Sequence, residues 1–465
     1  MNAIPDDLLQ TVQRFGQEHI FAFADQLSEK ERNGLIAQVR EIDFQTLNTC
    51  IEKHIHSSET EKQGELSPAP VITLADRTDR DADAVRSGQE AIRNGRVAAF
   101  VVAGGQGTRL GFNGPKGAFV PGLHSERSLF EIQAQRIQAA ARKYSTRIPW
   151  YIMTSETNDR ATRDFLEGNS FFGMRSEDVK IFTQGMMPAV DHSGNILLEN
   201  KHRIFRSPNG HGGSLKALVD SGALDDMNRR GVDTLSYYQV DNILIWPVDP
   251  AFIGYHLQAE SDMSSKVLPK RDPFEKVGNI CRVNGRLSVV EYSDLPEELA
   301  TATNEDGSLK FSAGSIGIHV FDTAFVRKMG TGGRLPYHKA EKNIPYMDSS
   351  GNIVEPEGKN GIKFEMFVFD ALPEAENPVV LEVERSEEFA PIKNARGDDS
   401  PETAARALYE RNARWLENRG LKVPKDENGT PVYPVELHPD ILLNPEDSRD
   451  LLPPDMRIEG PIYIK

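Results

Sequence analysis

Strand signals and helix signals alternate along the middle of this sequence, and the alternation limits the folds that the chain can adopt. Short apolar runs rich in β-branched and aromatic residues are separated by longer stretches in which apolar residues recur with helical spacing. We predict strands at Val97–Ala103, Ile148–Thr154, Val179–Thr183 and Thr234–Val240, and helices at Ser128–Tyr144, Asp159–Leu166 and Leu215–Asn228. Because strand–helix–strand units are right-handed and place their strands parallel, the sequence predicts an α/β fold with a doubly wound, mostly parallel sheet.

The regions on either side of this alternating segment differ from it. The first 56 residues show helical spacing of apolar residues, and residues 57–70 are polar with two prolines, as in a linker. Asn284-Gly285 lies between two short apolar runs and predicts a hairpin turn. Past about residue 390 we expect a helix at Pro401–Asn418, many prolines and a short terminal strand in GPIYIK. We therefore predict an N-terminal helical region at 1–90, a central domain at 91–390 and a small C-terminal domain at 391–465.

The charge balance argues against several classes of partner. The 465 residues include 54 Lys and Arg against 70 Asp and Glu, so the formal net charge is −16 at pH 7. A chain this acidic is not expected to bind nucleic acid or anionic lipid by non-specific attraction. The two cysteines, Cys50 and Cys281, are too few for a disulfide framework, and no apolar run is long enough to span a membrane. With an acidic start in place of a signal peptide, these features predict a soluble cytoplasmic protein.

A glycine-rich segment follows the first predicted strand, in the sequence VVAGGQGTRLGFNGPKGAFV at 101–120. The Walker A loop needs a lysine followed by a hydroxyl residue after its last glycine, and this segment has none there. The dinucleotide fingerprint GxGxxG also fails, because Leu110 stands in the third glycine position when the count begins at Gly105. What remains is a glycine turn at the carboxyl end of a strand, with Arg109 and Lys116 beside it. Bare backbone N–H groups and two cations predict an anion site.

This loop resembles the signature GGxGTRLG-x3-PK of the UDP-sugar pyrophosphorylases, most closely the UDP-N-acetylglucosamine pyrophosphorylases. Further blocks of the sequence resemble the same family in the family's order over roughly 97–410. These blocks are Gln184–Ala189, Pro208–Gly213, Val240–Leu244, Val289–Ser293, Phe311–Gly314, Leu335–His338, Asn360–Lys363, Phe367–Asp370 and Pro391–Asn394. The resemblance implies a Rossmann-like nucleotidyltransferase sheet whose central domain is catalytic.

The resemblance also implies an activity and a set of site residues. The expected reaction is transfer of a uridylyl group from UTP to a sugar 1-phosphate with Mg²⁺ as cofactor, so that UTP and the sugar phosphate are the partners. The sequence predicts no particular oligomeric state. The implied catalytic residues are Arg109, Lys116 and Lys393; the nucleotide-binding residues are Ala103, Gly104, Gly105, Lys116, Gln184, Gly210, Asp241 and Lys393; the sugar-binding residues are His211, Glu291, Tyr292 and Ser315; and the magnesium ligand is Asp241.

Two residues depart from the pattern of the N-acetylglucosamine enzymes. Their glycine-rich sugar loop reads GNGG, whereas His211 stands here in place of the asparagine, as in UDP-glucose and broad UDP-sugar enzymes. Ser315 also stands where an asparagine usually reaches the sugar. N-acetylglucosamine 1-phosphate is our expected substrate, with glucose 1-phosphate or a broad sugar range as the alternative. A non-catalytic nucleotide-sugar-binding protein is the alternative from another class, and a nicotinamide dehydrogenase is disfavoured by the failed fingerprint.

Overall fold

The fold is described from a computed structural model. It describes residues 4–57, 64–77, 80–441, 443, 452 and 456–465. The α-helices of these residues are α1 Asp6–Arg14, α2 Glu29–Arg40, α3 Phe44–Ile51, α4 Leu74–Arg77, α5 Asp81–Arg93, α6 Leu129–Lys143, α7 Asp159–Gly168, α8 Gly213–Asp220, α9 Ala223–Arg230, α10 Pro250–Gln258, α11 Glu297–Ala300, α12 Thr323–Gly330, α13 Arg385–Glu388 and α14 Pro401–Glu417. Short 3₁₀ turns lie at Glu18–Phe21, Ala24–Gln26, Thr108–Leu110, Lys116–Ala118, Ser170–Gly173, Ser176–Asp178 and Val368–Glu374, and a π-helical turn lies at Glu52–His56.

The strands include every strand that the sequence predicts. They are β1 Leu66–Pro68, β2 Val97–Val102, β3 Trp150–Thr154, β4 Val179–Thr183, β5 Met186–Pro188, β6 Val190–Asp191, β7 Leu198–Asn200, β8 Arg203–Ile204, β9 Arg206–Pro208, β10 Thr234–Gln239, β11 Met263–Pro269, β12 Asn279–Val283, β13 Arg286–Val290, β14 Ala313–Asp322, β15 Tyr337–Lys342, β16 Tyr346–Met347, β17 Ile353–Val354, β18 Gly361–Met366, β19 Val379–Glu382, β20 Val435–Leu437 and β21 Ile462–Ile464.

Ten of these strands form the central sheet. The order β10-β2-β3-β4 is parallel throughout, with Phe100 of β2 opposite both Tyr237 of β10 and Tyr151 of β3. The long strand β14 runs antiparallel to β10, β11 and β12, while β11 and β19 pair in parallel. The predicted α/β fold is thus confirmed, and the sheet is mixed because β14 reverses direction within it.

Helices cover both faces of the parallel part of the sheet. Successive strand residues point to opposite faces, so Ala99 and Val101 share one apolar cluster with residues of α5, α6 and α10. Tyr151 lies on the other face, where its hydroxyl donates a hydrogen bond of 2.7 Å to Asp226 Oδ2 in α9. Burial on both faces explains why these strands are continuous apolar runs rather than alternating ones.

Two predicted elements differ in detail from the observed ones. The helix predicted at 215–228 is two helices, α8 and α9, because Gly222 adopts the left-handed conformation with φ 69° between them. The predicted linker at 57–70 contains β1, which pairs antiparallel with β12, while 58–63 lie outside the described residues. The predicted hairpin is confirmed: β12 and β13 pair around Asn284 at φ 49° and Gly285 at φ 82°, as a type I′ turn requires.

The chain divides into two compact units, and the division differs from the predicted domains. The smaller unit comprises Met1–Gln63, Gln184–Ser214 and Arg334–Asp370. The predicted N-terminal helices belong to it because they lack a core of their own. Leu35, Val39 and Leu47 from these helices share one apolar cluster with Val190 and Phe364, which come from much later in the chain.

The larger unit comprises Gly64–Thr183, Leu215–Gly333 and Ala371–Lys465, and it contains the central sheet. The predicted C-terminal domain is part of this unit. Its helix α14 contributes Ala404 and Leu408 to a cluster that also holds Leu129 and Ile132 of α6. A smaller apolar cluster around Trp415 joins α14 to β20, which pairs in parallel with β21. Among the described residues, no helix combines the length and apolar character needed to cross a membrane.

Candidate active site

The glycine-rich segment leaves β2 and folds back on itself in the larger unit. The Gly107 N–H donates to the carbonyl of Gly114 at 2.9 Å, and the Lys116 N–H donates to the carbonyl of Gly105 at 3.1 Å. These two bonds close a loop that starts and ends at the same edge of the sheet. Arg109 lies on the exposed 3₁₀ turn Thr108–Leu110 within it.

Two buried polar side chains hold the carbonyls of this loop. Asn158 Nδ2 donates to the carbonyls of Ala103 at 2.8 Å and Gly105 at 3.1 Å, and Ser155 Oγ donates to that of Gly104 at 2.8 Å. The amide of Asn158 is fixed in turn because its Oδ1 accepts from the backbone N–H of Ser155 at 2.8 Å. With the carbonyls turned this way, no described residue accepts a hydrogen bond from the N–H of Gly104 or Gly105. Such free amides at the end of a strand suit an anion.

Lys116 and Asp241 form an ion pair at the carboxyl ends of β2 and β10. Lys116 Nζ lies 3.0 Å from Asp241 Oδ2, and the two side chains are only 16% and 13% exposed. The sequence singled out each residue separately. The parallel pairing of β2 with β10 brings them together, because the carboxyl ends of adjacent parallel strands lie at the same edge of the sheet.

The segment that carries Lys393 is tied to the strand end at Asp241. The Ile392 N–H donates to the backbone carbonyl of Asp241 at 2.9 Å. The next residue, Lys393, therefore lies near the carboxyl end of β10. Buried Asn242 adds two bonds, since its Oδ1 accepts from the Ala390 N–H at 3.0 Å and its Nδ2 donates to the carbonyl of Glu388 at 2.6 Å. Lys393 itself is exposed. The structure thus joins two blocks that are about 150 residues apart in the sequence, whereas among the described residues it shows no hydrogen bond or ion pair between Arg109 and the Lys116–Asp241 pair.

The predicted sugar-binding residues of the larger unit meet around Gly278. The Ser315 N–H donates to the carbonyl of Gly278 at 2.8 Å, and a Cβ placed on Gly278 would lie 3.7 Å from Glu291 Oε1. Tyr292 follows Glu291 and is 45% exposed. Ser315 and Glu291 are therefore neighbours, as a shared role would require.

Sequence reasoning missed Lys270, which lies beside this group. Lys270 is only 7% exposed, and its backbone N–H donates to the carbonyl of Ser312 at 3.0 Å. Its Nζ donates to the carbonyl of Pro273 at 3.3 Å, and burial lowers its pKa. Ser155 and Asn158 were missed as well. A serine and an asparagine before a helix read as ordinary capping residues, and a single lysine after a strand carries no distinguishing signal.

The remaining predicted residues, Gln184, Gly210 and His211, belong to the smaller unit. Gln184 is 8% exposed, and its Oε1 has no hydrogen-bond partner among the described residues. Gly210 has φ 84°, and a Cβ there would lie 2.4 Å from the carbonyl oxygen of Met366. No other residue type fits that close approach, so the glycine has a packing requirement in addition to any role in binding.

The imidazole of His211 is fixed and neutral. It stacks on Phe367 with 5.4 Å between ring centroids, and its Nδ1 accepts from the Val368 N–H at 3.2 Å. Burial lowers the pKa of His211 to about 4. With Nδ1 accepting a hydrogen bond, the proton of the neutral ring is on Nε2, which is available as a donor.

Comparison with solved structures identifies the class of fold to which this protein belongs. The uridine diphosphate N-acetylglucosamine pyrophosphorylase from Trypanosoma brucei, solved in complex with an inhibitor, superposes with a TM-score of 0.83 at 28% identity, covering 100% of this chain and 99% of that one. The mixed sheet is that of an α/β nucleotidyltransferase-like fold. The model of the UTP–glucose-1-phosphate uridylyltransferase family matches residues 45–440, and the chain belongs to that family. It is an enzyme of the uridylyltransferase class, as the resemblance predicted.

Curated relatives fall within the same family. A UDP-N-acetylhexosamine pyrophosphorylase-like protein 1 from Xenopus tropicalis is 39% identical over 437 residues, which cover 90% of this chain and 85% of that protein. A probable UDP-N-acetylglucosamine pyrophosphorylase from Schizosaccharomyces pombe is 39% identical over 435 residues, covering 88% of this chain and 90% of the relative.

Proposed function

We propose that this uridylyltransferase joins UTP and N-acetylglucosamine 1-phosphate to give the UDP-sugar and pyrophosphate. The observation that carries the proposal is the Lys116–Asp241 pair beside a loop whose Gly104 and Gly105 amides are free. Relatives that cover most of the chain are named for N-acetylated sugars, which supports the choice of sugar. From the composition we also propose that the enzyme is cytoplasmic and has no nucleic-acid partners.

In the proposed reaction, an oxygen of the sugar phosphate forms a bond to the α-phosphorus of UTP. The bond from that phosphorus to the bridging oxygen breaks, and the electron pair leaves with pyrophosphate. The attacking group is already an anion, so no general base has to remove a proton. The protein's task is to align the two phosphates and to stabilise negative charge. The Gly104 and Gly105 amides and Lys116 Nζ do this for the triphosphate.

We assign Arg109 and Lys393 to the same phosphates as additional positive charges. Arg109 is carried by the exposed turn of the glycine loop, and Lys393 follows the residue that bonds to the backbone of Asp241. The buried environment strengthens the contribution of Lys116, whereas solvent weakens that of the exposed cations.

The residues at this edge fit Mg²⁺. The ion usually takes one or two protein carboxylates and completes its shell with phosphate oxygens and water. Asp241 supplies one partly buried carboxylate, and the described residues contain no cluster of three His, Cys, Asp or Glu that would bind a metal without substrate. When bound there with UTP, Mg²⁺ would neutralise phosphate charge.

Gln184 and the sugar residues are given roles that their environments support. The Gln184 Oε1, which is buried and has no hydrogen-bond partner among the described residues, suits the N3–H donor of uracil. The Gly210 backbone is assigned to the neighbouring part of the nucleotide. Nε2–H of His211 is a fixed donor for a sugar oxygen. Glu291 and Tyr292 are assigned to sugar hydroxyls.

Glucose 1-phosphate is the second candidate substrate, because two observations favour it. His211 offers a single donor where an asparagine amide would offer both a donor and an acceptor to an acetamido group. Ser315 is shorter than asparagine. Each lost hydrogen bond is worth about 1 kcal/mol, so the preference between the two sugars should be several-fold and not absolute.

A panel assay tests the proposal. Pyrophosphate release is measured with UTP, Mg²⁺ and N-acetylglucosamine, N-acetylgalactosamine or glucose 1-phosphate, each over a range of concentrations. We expect turnover with more than one sugar and the highest kcat/KM with N-acetylglucosamine 1-phosphate. A preference for glucose 1-phosphate would contradict the assigned sugar, and a discrimination above about a thousandfold, which is roughly 4 kcal/mol, would contradict the account of His211 and Ser315.

A further inference from the structure

A partly enclosed cavity of about 30 Å³ lies between α6 and α14 in the larger unit. Three arginines line it, namely Arg127, Arg136 and Arg411, together with apolar side chains that include Trp246 and Trp415. Three cations around one small cavity are unusual in a chain whose net charge is −16. None of them has a role in the proposed reaction.

Arg127 is the only one of the three whose charge is neutralised by a described carboxylate. Its Nη2 lies 2.8 Å from Glu436 Oε2, and both side chains are almost completely buried. Its other donors bond to Ser125 Oγ and Gln135 Oε1, each at 2.8 Å. Arg127 therefore needs no counter-ion from outside the protein.

Within the described part of the chain, Arg136 and Arg411 donate hydrogen bonds only to backbone carbonyls. Nη1 of Arg136 donates to Ile243 at 2.7 Å and Ile245 at 2.6 Å. Nη1 of Arg411 donates to Leu244 at 3.0 Å and to the carbonyl of Glu387 at 2.9 Å. Neither guanidinium has a described carboxylate within 4.0 Å.

One buried hydrogen-bond donor of this pair has no acceptor among the described residues. Arg411 is 3% exposed, and its Nε is buried without a hydrogen-bond partner among the described residues. The carboxylate of Glu387 in α13, whose backbone carbonyl accepts from Arg411, is engaged by Arg414 at 2.7 Å and by Trp415 Nε1 at 2.9 Å. Burial, reinforced by repulsion from Arg411, lowers the pKa of Arg136. Arg411 is attracted by the charges of Glu387 and Glu388 and lies 4.9 Å from the centroid of the Trp415 ring. Even so, neither arginine forms an ion pair with a described residue, and two buried like charges without a close counter-ion are costly to stability.

We propose that the cavity binds a small inorganic anion, of the class of chloride or phosphate, between Arg136 and Arg411. A single water needs about 10–15 Å³ by this measure, so the cavity has room for a small ion. Guanidinium groups bind such anions through several N–H donors, and the unpartnered Nε of Arg411 is one of them. The anion would also stabilise the segment after Asp241, because both arginines bond to carbonyls of residues 243–245.

Thermal unfolding at constant ionic strength tests the site. Sodium chloride or sodium phosphate replaces sodium gluconate, whose anion is too large for the cavity, in the wild type, in Arg411→Met and in the control Arg414→Met. Arg414 is on the same helix but does not line the cavity. We expect the wild-type Tm to rise by about 2 °C or more and to reach a plateau, the control to respond equally and Arg411→Met to lose the response. Whichever of chloride and phosphate acts at the lower concentration is the preferred ion.

Crystals of the wild-type protein in sodium bromide provide a second measurement that needs no variant. We expect an anomalous peak within hydrogen-bond distance of Arg411 Nε. A cavity that holds only water in these crystals overturns the proposal. So does a wild-type Tm that does not depend on the anion, even if bromide is seen at crystal concentration.

Discussion

At the residue scale, the proposed chemistry depends on one partly buried ion pair. Lys116 Nζ and Asp241 Oδ2 are 3.0 Å apart in a setting that is largely shielded from solvent. The pair holds the lysine at the strand ends, where the phosphates of UTP would bind. The carboxylate orients Lys116 and is itself the donor that suits a divalent cation.

Removing the lysine tests its role in charge stabilisation. We expect Lys116→Ala to lower kcat by two to three orders of magnitude, because it removes a fixed charge from the transition state of a group transfer. Steady-state kinetics with UTP and N-acetylglucosamine 1-phosphate measure the effect. The control Lys422→Ala removes an exposed lysine and should leave kcat unchanged. Wild-type kcat in Lys116→Ala would show that this loop does not bind the triphosphate.

Converting two residues tests the account of sugar selectivity. In His211→Asn combined with Ser315→Asn, we expect the ratio of kcat/KM for N-acetylglucosamine 1-phosphate over glucose 1-phosphate to increase several-fold per residue. An amide adds hydrogen bonds worth about 1 kcal/mol each to the acetamido group. The KM for UTP serves as the internal control and should not move. An unchanged sugar ratio would mean that neither side chain contacts the sugar.

The sequence predicted candidate residues that lie in blocks matching a family signature, and it did not single out the side chains that hold the glycine loop from another part of the chain. Lys116, Asp241 and Lys393 could be assigned because their blocks match a family signature. Asn158 and Ser155 could not, because their contribution depends on carbonyls more than 50 residues earlier in the chain. Lys270 was missed because only its burial distinguishes it from other lysines.

At the element scale, the connection between β3 and α7 holds the glycine loop in place. Asn158 lies at the start of α7 and holds two carbonyls of the segment that follows β2. Because β2 and β3 are adjacent in the sheet, the turn that follows β3 lies close enough to support the loop that follows β2. This arrangement leaves the loop amides free for substrate.

A matched pair of variants tests this support. We expect Asn158→Ala to raise the KM for UTP and to lower kcat/KM about tenfold or more, since the amides of Gly104 and Gly105 would no longer be held. Asn169→Ala, at the exposed end of the same helix, should have no such effect. Tm is recorded for both variants. The account would fail if Asn158→Ala lowered Tm while kcat/KM stayed at the wild-type value.

The elements themselves were largely predictable, and the exceptions have local causes. The strands β2, β3, β4 and β10 stood out because burial on both faces makes each a continuous apolar run. The break between α8 and α9 was missed because Gly222 was read as part of a helix, although its φ of 69° ends one. The antiparallel direction of β14 could not be predicted, because strand direction depends on pairing between distant segments.

At the scale of the whole molecule, the compact units do not follow the order of the chain. Helices α1–α3 have apolar faces that are covered by residues near 190 and 364, so a boundary drawn after the helices could not describe the unit. In the same way α14 packs on α6 of the larger unit. A sequence read from one end to the other shows which segments are helical but not which distant segment covers them.

Acid stability is a property of the whole molecule that buried histidines help to set. His256 is 2% exposed, and burial lowers its pKa to about 4. Unfolding restores the pKa of His256 to a value near 6.5. Between about pH 4 and 6.5 the unfolded chain therefore binds more protons than the folded protein, and the free energy of unfolding falls as pH falls from about 6.5 to about 4. The contribution of His256 amounts to about 3 kcal/mol over that range.

Denaturant unfolding across this pH range measures the effect. We expect His256→Gln to be less stable than the wild type at pH 7 but to lose less free energy of unfolding on acidification. The control His124→Asn alters an exposed histidine and should follow the wild-type curve. Parallel curves for His256→Gln and the wild type would show that this histidine is not the group responsible.

The account rests on uridylyl transfer at the Lys116–Asp241 pair, and one comparison tests this most directly. Pyrophosphate release and UDP-sugar formation are measured together for the wild type and for Asp241→Asn, with UTP, N-acetylglucosamine 1-phosphate and Mg²⁺, after equal Tm values have shown that both are folded. We predict one pyrophosphate per UDP-sugar in the wild type and a loss of at least about a hundredfold in the variant. Equal turnover by folded Asp241→Asn, or no UDP-sugar from the wild type, would contradict the account.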